Sequence, residues 1–298
     1  VLHEDELPVD VDLVRRLIAA QFPEWADLSV EPFDSGGTSN WIFLLGDAMY
    51  VRMRRRPSEP SKVLGEQDWL ALLALELPVA IPRVLGRGEP GEGFPLPWTI
   101  LDWVPGDPAT PDQLRDPASL AVDVAEFVRA MRAIDPTDGP PPNEDNNWRA
   151  CPLALRDDSM RRRLAECEGL LDVAAATAAW DRALAAPTWD GPPTFVHGDL
   201  ISGNVLVADG RLTGVIDFGC LAVGDPATDL MAAWGLFGPH ARGVFRESLE
   251  IDDPMWLRGA GWALSVGVIA LPYYLHTSPV MTRSNWHLID QVLADGMI

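Results

Sequence analysis

The chain has 298 residues, 47% of them apolar, with a net charge of −21 and a pI near 4.4. That length can bury two modest lobes or one large domain. The acidity argues against a nucleic-acid-binding surface and against attraction to anionic membranes, and it would attract a cationic small molecule. Three cysteines, Cys151, Cys167 and Cys220, are odd in number and lack metal-ligand spacing. They point to reduced thiols in a cytoplasmic setting, as does an acidic opening, Val1 to Glu6, with no charged-then-apolar leader. The absent initiator Met suggests trimming.

Asp10 to Gln21 reads as an amphipathic helix, with Val11, Val14, Leu17 and Ile18 on one stripe. Val30 to Phe33 and Trp41 to Leu45 read as strands around the small polar loop Asp34-Ser35-Gly36-Gly37-Thr38-Ser39-Asn40. Backbone N–H groups and the hydroxyls of Ser35, Thr38 and Ser39 there can face phosphate oxygens, although ordinary hairpin turns look the same. Met49 to Met53 follows as a strand and offers Arg52 as a phosphate cation; the chain has one lysine, Lys62. Lys62 to Leu75 reads as a helix, with Glu66 one turn inside it and able to pair with Arg52. Arg83 to Gly86 and Pro97 to Val104 look like the last strands of a first lobe. Asp102-Trp103-Val104 forms a hinge whose backbone groups can hydrogen-bond a purine edge.

Leu120, Val124, Phe127, Met131 and Ile134 recur at helical spacing. Gly139 to Asn147 is a Pro/Asn-rich loop, and Asp157 to Leu171 and Asp172 to Ala186 read as helices. Next comes Phe195-Val196-His197-Gly198-Asp199, then Asn204 after four intervening residues, then Asp217-Phe218-Gly219. This is the order and spacing of a kinase catalytic loop and metal-binding loop. Val205 to Val207 and Leu212 to Ile216 read as a hairpin turned by Asp209-Gly210. It would set Asn204 and Asp217 at neighbouring strand ends, within reach of one cation. Phosphoryl transfer needs positioning and charge neutralisation more than covalent help. Asp199 would orient the attacking hydroxyl and take its proton. Asn204 and Asp217 are hard oxygen ligands suited to Mg²⁺. His197 reads as structural, holding backbone.

Gly224 to Leu230 opens a helix running to about Phe237, where Asp225 or Asp229 would cap the helix or brace the catalytic loop. Met255 to His276 and Thr282 to Ala294 supply the last helices. The apolar run Gly261 to Leu275 falls short of a membrane span and reads as a buried helix. Trp234, Trp262, Tyr273 and Tyr274 are core aromatics by default, with Trp234, Tyr273 and Tyr274 the candidates to face a substrate.

On the motifs HGDL-x3-N at 197–204, IDFG at 216–219 and GDPATDL at 224–230, the chain resembles the aminoglycoside phosphotransferase family of small-molecule kinases, which includes macrolide phosphotransferases. The resemblance runs from about Asp34 to the C-terminal helices. It implies an α+β, bilobal, protein-kinase-like fold: an N-lobe over residues 1–101 with an antiparallel sheet and a helix, a hinge at 102–106, and a mainly helical C-lobe over 107–298. It also implies ATP or GTP in the cleft, Mg²⁺ on Asn204 and Asp217, Asp199 as base, and a small, often aminated molecule as the hydroxyl acceptor. The chain departs from the family pattern at Ile201-Ser202, where His-Pro is common, and at Arg52, where many members carry Lys. Only five residues separate Gly219 from Asp225, too few for the activation segment of a protein kinase, so a small acceptor fits better than a polypeptide. Choline-, homoserine- or sugar-kinase activity and a nucleotide-binding regulatory module are the alternatives.

Overall fold

The computed structural model describes residues 5–57, 60–110, 114 and 116–295, without the side chains of residues 60–64 and 66. The chain divides into two compact units, Val1–Leu75 with Ala80–Pro105, and Glu76–Val79 with Gly106–Ile298.

In the first unit, helix α1 (Val11–Gln21) starts at Asp10, whose carboxylate accepts the Leu13 N–H at 2.8 Å. That bond satisfies one of the donors a helix start leaves open. The buried stripe Leu13, Val14, Leu17 and Ile18 packs into a core with Phe43, Val51, Met53, Trp98 and Ile100. Those residues come from an antiparallel sheet of β1 (Val30–Phe33), β2 (Asn40–Leu45), β3 (Met49–Arg54), β4 (Val84–Gly88) and β5 (Trp98–Asp102), in spatial order β1-β2-β3-β5-β4. Period-two alternation puts Val51 and Met53 into the core and turns Arg52 to the other face, opposite Ile42 and Thr99 of its neighbours. Helix α2 (Pro60–Glu76) buries Leu70 and Leu73.

The second unit contains β6 (Asp107–Pro108), α3 (Pro117–Ala133), α4 (Asp157–Glu166), α5 (Val173–Ala185), β7 (Thr194–Val196), β8 (Val205–Ala208), β9 (Arg211–Val215), β10 (Ala222–Gly224), α6 (Ala232–Leu236), α7 (Pro239–Ser248), α8 (Asp253–Tyr274) and α9 (Pro279–Ala294). Two small sheets matter for the site: β7 pairs with β10, and β8 lies between β6 and β9. The β8–β9 turn holds Asp209 at φ 52° and Gly210 at φ 79°, the left-handed pair a two-residue hairpin needs. Arg211 clamps Asp123 of α3 through Nε at 2.7 Å and Nη2 at 2.6 Å, and the Leu212 N–H adds a third bond at 3.1 Å. The hairpin is thereby fixed to α3.

Two helical segments differ from the pattern-based expectation. Helix α4 stops at Glu166 rather than Leu171, because Cys167 closes it and Gly169, at φ 79°, turns the chain. After Gly224 the chain opens as a 3₁₀ turn over Pro226–Met231 before α6, since Asp225 caps it by accepting the Ala227 N–H at 3.0 Å. Helix α8, expected over Met255 to His276, runs over Asp253–Tyr274, and Asp252 caps it by accepting the Met255 N–H at 2.8 Å. At 22 residues α8 is long and apolar enough to cross a membrane, but 67% of that window is buried inside the protein. It is a core helix. Neighbours approach its glycines closely: a Cβ on Gly259 would lie 2.5 Å from Leu230 Cβ. At the same helix, Arg258 donates Nε to Asp225 at 2.9 Å and Nη1 to the Pro187 carbonyl at 2.8 Å, with both charged side chains buried.

Candidate active site

Strand β7 feeds its buried Phe195 and Val196 directly into His197, Gly198 and Asp199. The bend behind them is held by Asp229, whose two oxygens accept the N–H groups of His197 and Gly198, each at 2.8 Å. Burial pushes the Asp229 carboxyl above its ordinary pKa, while His197 and the two N–H groups pull it back. His197 is fully buried, with its ring edge-on to Phe218 at 4.6 Å. Its Nδ1 accepts the Asp199 N–H at 3.2 Å, so the ring proton sits on Nε2 and is donated to the Ile216 carbonyl at 3.1 Å. The other main-chain group of Ile216, its N–H, donates to the Asn204 carbonyl at 2.9 Å. The backbone of Ile216, the residue before Asp217, therefore joins the loop of Asp199 to the strand start at Asn204.

Asn204 donates Nδ2 to the Asp199 carbonyl at 2.9 Å and to Asp199 Oδ2 at 3.0 Å. With Nδ2 committed there, its Oδ1 is the atom left to face a cation. Asp217 is exposed and sits at φ 62°, a left-handed conformation that costs a non-glycine residue on the order of 1 kcal/mol or more. Its Oδ1 accepts the Gly219 N–H at 3.4 Å. Asp199 keeps 24% of its side chain exposed, enough for a hydroxyl to reach it. Among the described residues no three His, Cys, Asp or Glu side chains cluster to hold a metal alone. Two oxygen ligands on short loops fit Mg²⁺, which fills its shell with water and phosphate.

Sequence reasoning missed Arg149. It is buried, donates Nε to the Gly198 carbonyl and places Nη2 3.4 Å from Asp199 Oδ1. Gly198 makes room for it. At φ 81°, a Cβ there would lie 2.9 Å from Arg149 Cγ and 2.4 Å from the Cys220 carbonyl oxygen. The sequence signal was slight: an Asn-rich loop fifty residues before the motif.

The candidate nucleotide residues lie in the first unit. Ser35 and Ser39 are exposed and Thr38 is half-buried. The N–H groups of Gly36 and Gly37 turn inward to Asp34 Oδ1 at 3.1 Å and Ser35 Oγ at 3.2 Å, so the loop closes on its own side chains instead of leaving those donors open. Arg52 lines a small cavity with Asn40, Arg54, Gln67 and Thr99. Gln67 is thus an α2 residue beside Arg52; the Glu66 side chain lies outside the described residues. At the expected hinge, the Asp102 N–H goes to the Arg83 carbonyl at 3.1 Å and the Trp103 N–H to the Ala48 carbonyl at 2.8 Å. Those two donors are spent on the sheet, and the Asp102 carboxylate is held by Arg83 at 2.6 Å. Val104 N–H is the donor of the three without a backbone partner among the described residues. Trp103, edge-on to Phe33 at 5.1 Å, is exposed.

Trp234 must be removed from the acceptor-facing candidates. It is fully buried on α6, 4.6 Å from Trp256, and its Nε1 donates to Asp295 at 3.0 Å. A short helix with every side chain buried gives it no open face. Tyr273 is exposed and Tyr274 half-buried at the end of α8, in an edge-on pair at 4.9 Å. Asp225 and Asp229 divide the two roles expected of them, the first capping and pairing with Arg258, the second bracing the loop.

An antiparallel sheet with helices in one unit, a mainly helical second unit and an Asp–Asn pair on a strand-held loop define an α+β, kinase-like phosphotransferase fold. The profile of the phosphotransferase enzyme family matches residues 29–262, and the chain belongs to that family. It is 30% identical over 226 residues to the aminoglycoside 3'-phosphotransferase of Streptomyces fradiae, covering 70% of this chain and 73% of the relative. It is 27% identical to the viomycin phosphotransferase of Streptomyces vinaceus, covering 67% and 71%. Among solved structures, a GDP and kanamycin complex of APH(2")-IIIa superposes with TM-score 0.73 at 22% identity, over 95% of this chain and 98% of that one. A macrolide 2'-phosphotransferase from Brachybacterium faecium gives 0.64 at 21% identity, over 95% and 98%.

Proposed function

We propose that this chain moves the γ-phosphoryl group of ATP or GTP to a hydroxyl of a small, amine-bearing antibiotic of the aminoglycoside or macrolide kind. The observation carrying the reading is the Asp199–Asn204 hydrogen bond at 3.0 Å, tied through Ile216 to Asp217. Asp199 accepts the hydrogen bond of the attacking hydroxyl and takes its proton as the bond to phosphorus forms. Asn204 Oδ1 and the Asp217 carboxylate would hold Mg²⁺, which when bound neutralises charge on the phosphates. Arg52, with its permanent charge, suits the nucleotide phosphates, and Ser35, Thr38, Ser39 and Val104 are its candidate companions. The acceptor class rests on the relatives, which are phosphotransferases of aminoglycosides, viomycin and macrolides, and a GDP complex of one of them supports a nucleotide donor. A net charge of −21 suits a cationic acceptor. Three free cysteines suit a cytoplasmic setting.

The test is release of nucleoside diphosphate against a panel of aminoglycosides, macrolides and amino alcohols, with ATP and GTP each as donor. Turnover with an antibiotic and none with choline or homoserine is the expected result; the opposite pattern would move the chain to metabolic kinases. Asp217→Ala should weaken Mg²⁺-dependent nucleotide binding by about tenfold or more. Thermal shift with nucleotide, with and without Mg²⁺, reads this. An unchanged metal dependence removes Asp217 from the ligand set.

A further inference from the structure

We propose that Arg149 is a positioning residue for the transfer step, setting the orientation of the Asp199 carboxylate. The inference rests on the phosphotransfer reading above. The two carboxylate oxygens of Asp199 are held from two sides. Asn204 Nδ2 reaches Oδ2 at 3.0 Å, and Arg149 Nη2 lies 3.4 Å from Oδ1. The same guanidinium donates Nε to the Gly198 carbonyl, so it grips the loop one residue before the base as well as the base itself. A planar donor fork can span the Gly198 carbonyl and the Asp199 carboxylate at once in a fixed geometry, which an ammonium cannot do.

The surroundings hold Arg149 in place. Arg156, also buried, has no carboxylate partner among the described residues; it bonds Ser265 Oγ at 3.1 Å and the Asn147 carbonyl at 3.1 Å. Burial and the neighbouring Arg149 charge bring its pKa down to about 9. Arg149 and Arg156 are thus two buried cations close enough to repel one another, and Asp199 is the carboxylate that Arg149 meets. The backbone around Arg149 is strained: Asn147, Trp148 and Ala150 have φ of 54°, 57° and 64°. For a bulky residue such as Trp148 this region is a genuine outlier. The loop keeps the strain because it is pinned, Asn146 Nδ2 donating to the Pro141 carbonyl at 2.9 Å and the Leu221 carbonyl at 3.3 Å. Strain of this kind persists where surrounding structure over-determines it, commonly beside reacting groups.

A merely structural Arg149, one that only satisfies the Gly198 carbonyl, makes a different prediction. The experiment compares wild type, Arg149→Lys, Arg149→Met and Asp199→Asn for folding, Mg²⁺-nucleotide binding and steady-state transfer. Arg149→Met should lose about 100-fold in kcat, while its KM for nucleotide stays within about twofold. Arg149→Lys, which keeps the charge without the fork, should fall between that variant and wild type. Guanidinium added below denaturing concentration should restore part of the Arg149→Met rate. If Arg149→Met unfolds, Arg149→Lys with guanidinium carries the test. A kcat within about threefold of wild type in the folded variants, or a loss in KM alone, overturns the proposal. If wild type and Asp199→Asn are equally inactive with every acceptor, the phosphotransfer reading fails and the positioning role falls with it. If only Asp199→Asn is inactive, the reading stands and the role of Arg149 alone is rejected.

Discussion

Asp199→Asn is expected to lower turnover by about a thousandfold, within the 10²–10⁴ range of a lost general base. Nucleotide binding should persist, because Asn204 Nδ2 keeps its bond to the Asp199 carbonyl at 2.9 Å and so still turns Oδ1 toward the cation. The replacement is nearly isosteric, and an amide oxygen can still face Arg149 Nη2, which lies 3.4 Å from Oδ1. The amide nitrogen would then meet Asn204 Nδ2, a donor, where Oδ2 now accepts at 3.0 Å. Local hydrogen bonding will change while the loop stays put, since Asp229, not Asp199, holds the backbone of His197 and Gly198. Product formation and nucleotide-dependent thermal shift, measured side by side, separate these effects. Turnover within about tenfold of wild type would take the base role from Asp199.

Asp225→Ala is expected to cost about 3–5 kcal/mol of stability, the usual consequence of stranding one member of a buried ion pair. Asp225 and Arg258 are 4% and 6% exposed in their side chains, and the pair sits where α8 meets the Pro226–Met231 turn. Losing the carboxylate leaves a guanidinium without water and removes the cap on Ala227 N–H. Exposed pairs such as Arg161–Asp181, at 46% and 54%, contribute about 1 kcal/mol at most. The double variant Asp225→Ala/Arg258→Met should recover much of the loss, because no charge is then buried alone. Chemical denaturation of the single and double variants tests this. A single-variant cost below about 1 kcal/mol would mean that water reaches Arg258.

The elements near the site were legible from local rules. Alternation in β3 told which face carries Arg52, and Asp209-Gly210 announced its hairpin because few residues accept two successive left-handed conformations. The spacing from Asp199 to Asn204 marked both residues, while the hydrogen bond between their side chains came from the structure. What was illegible depends on contacts between residues far apart in the chain. Arg149 reaches Asp199 across fifty residues, from a loop whose sequence resembles ordinary Pro/Asn-rich connection. Trp234 shows the limit of composition. An aromatic on a helix can face either way, and only the packing of α6 shows that this one is enclosed. The division of labour between Asp225 and Asp229 was open for the same reason: four residues apart, either could cap or brace until their donors were known.

The main chain of Ile216 spends both its hydrogen-bonding groups on the site, one toward Asn204 and one toward His197. Such a joint carries no side-chain signature. Most substitutions at this position would leave it intact, and proline, which has no N–H to give, is the residue it forbids. An inventory of reactive side chains would therefore pass over the point at which the machinery is fastened together.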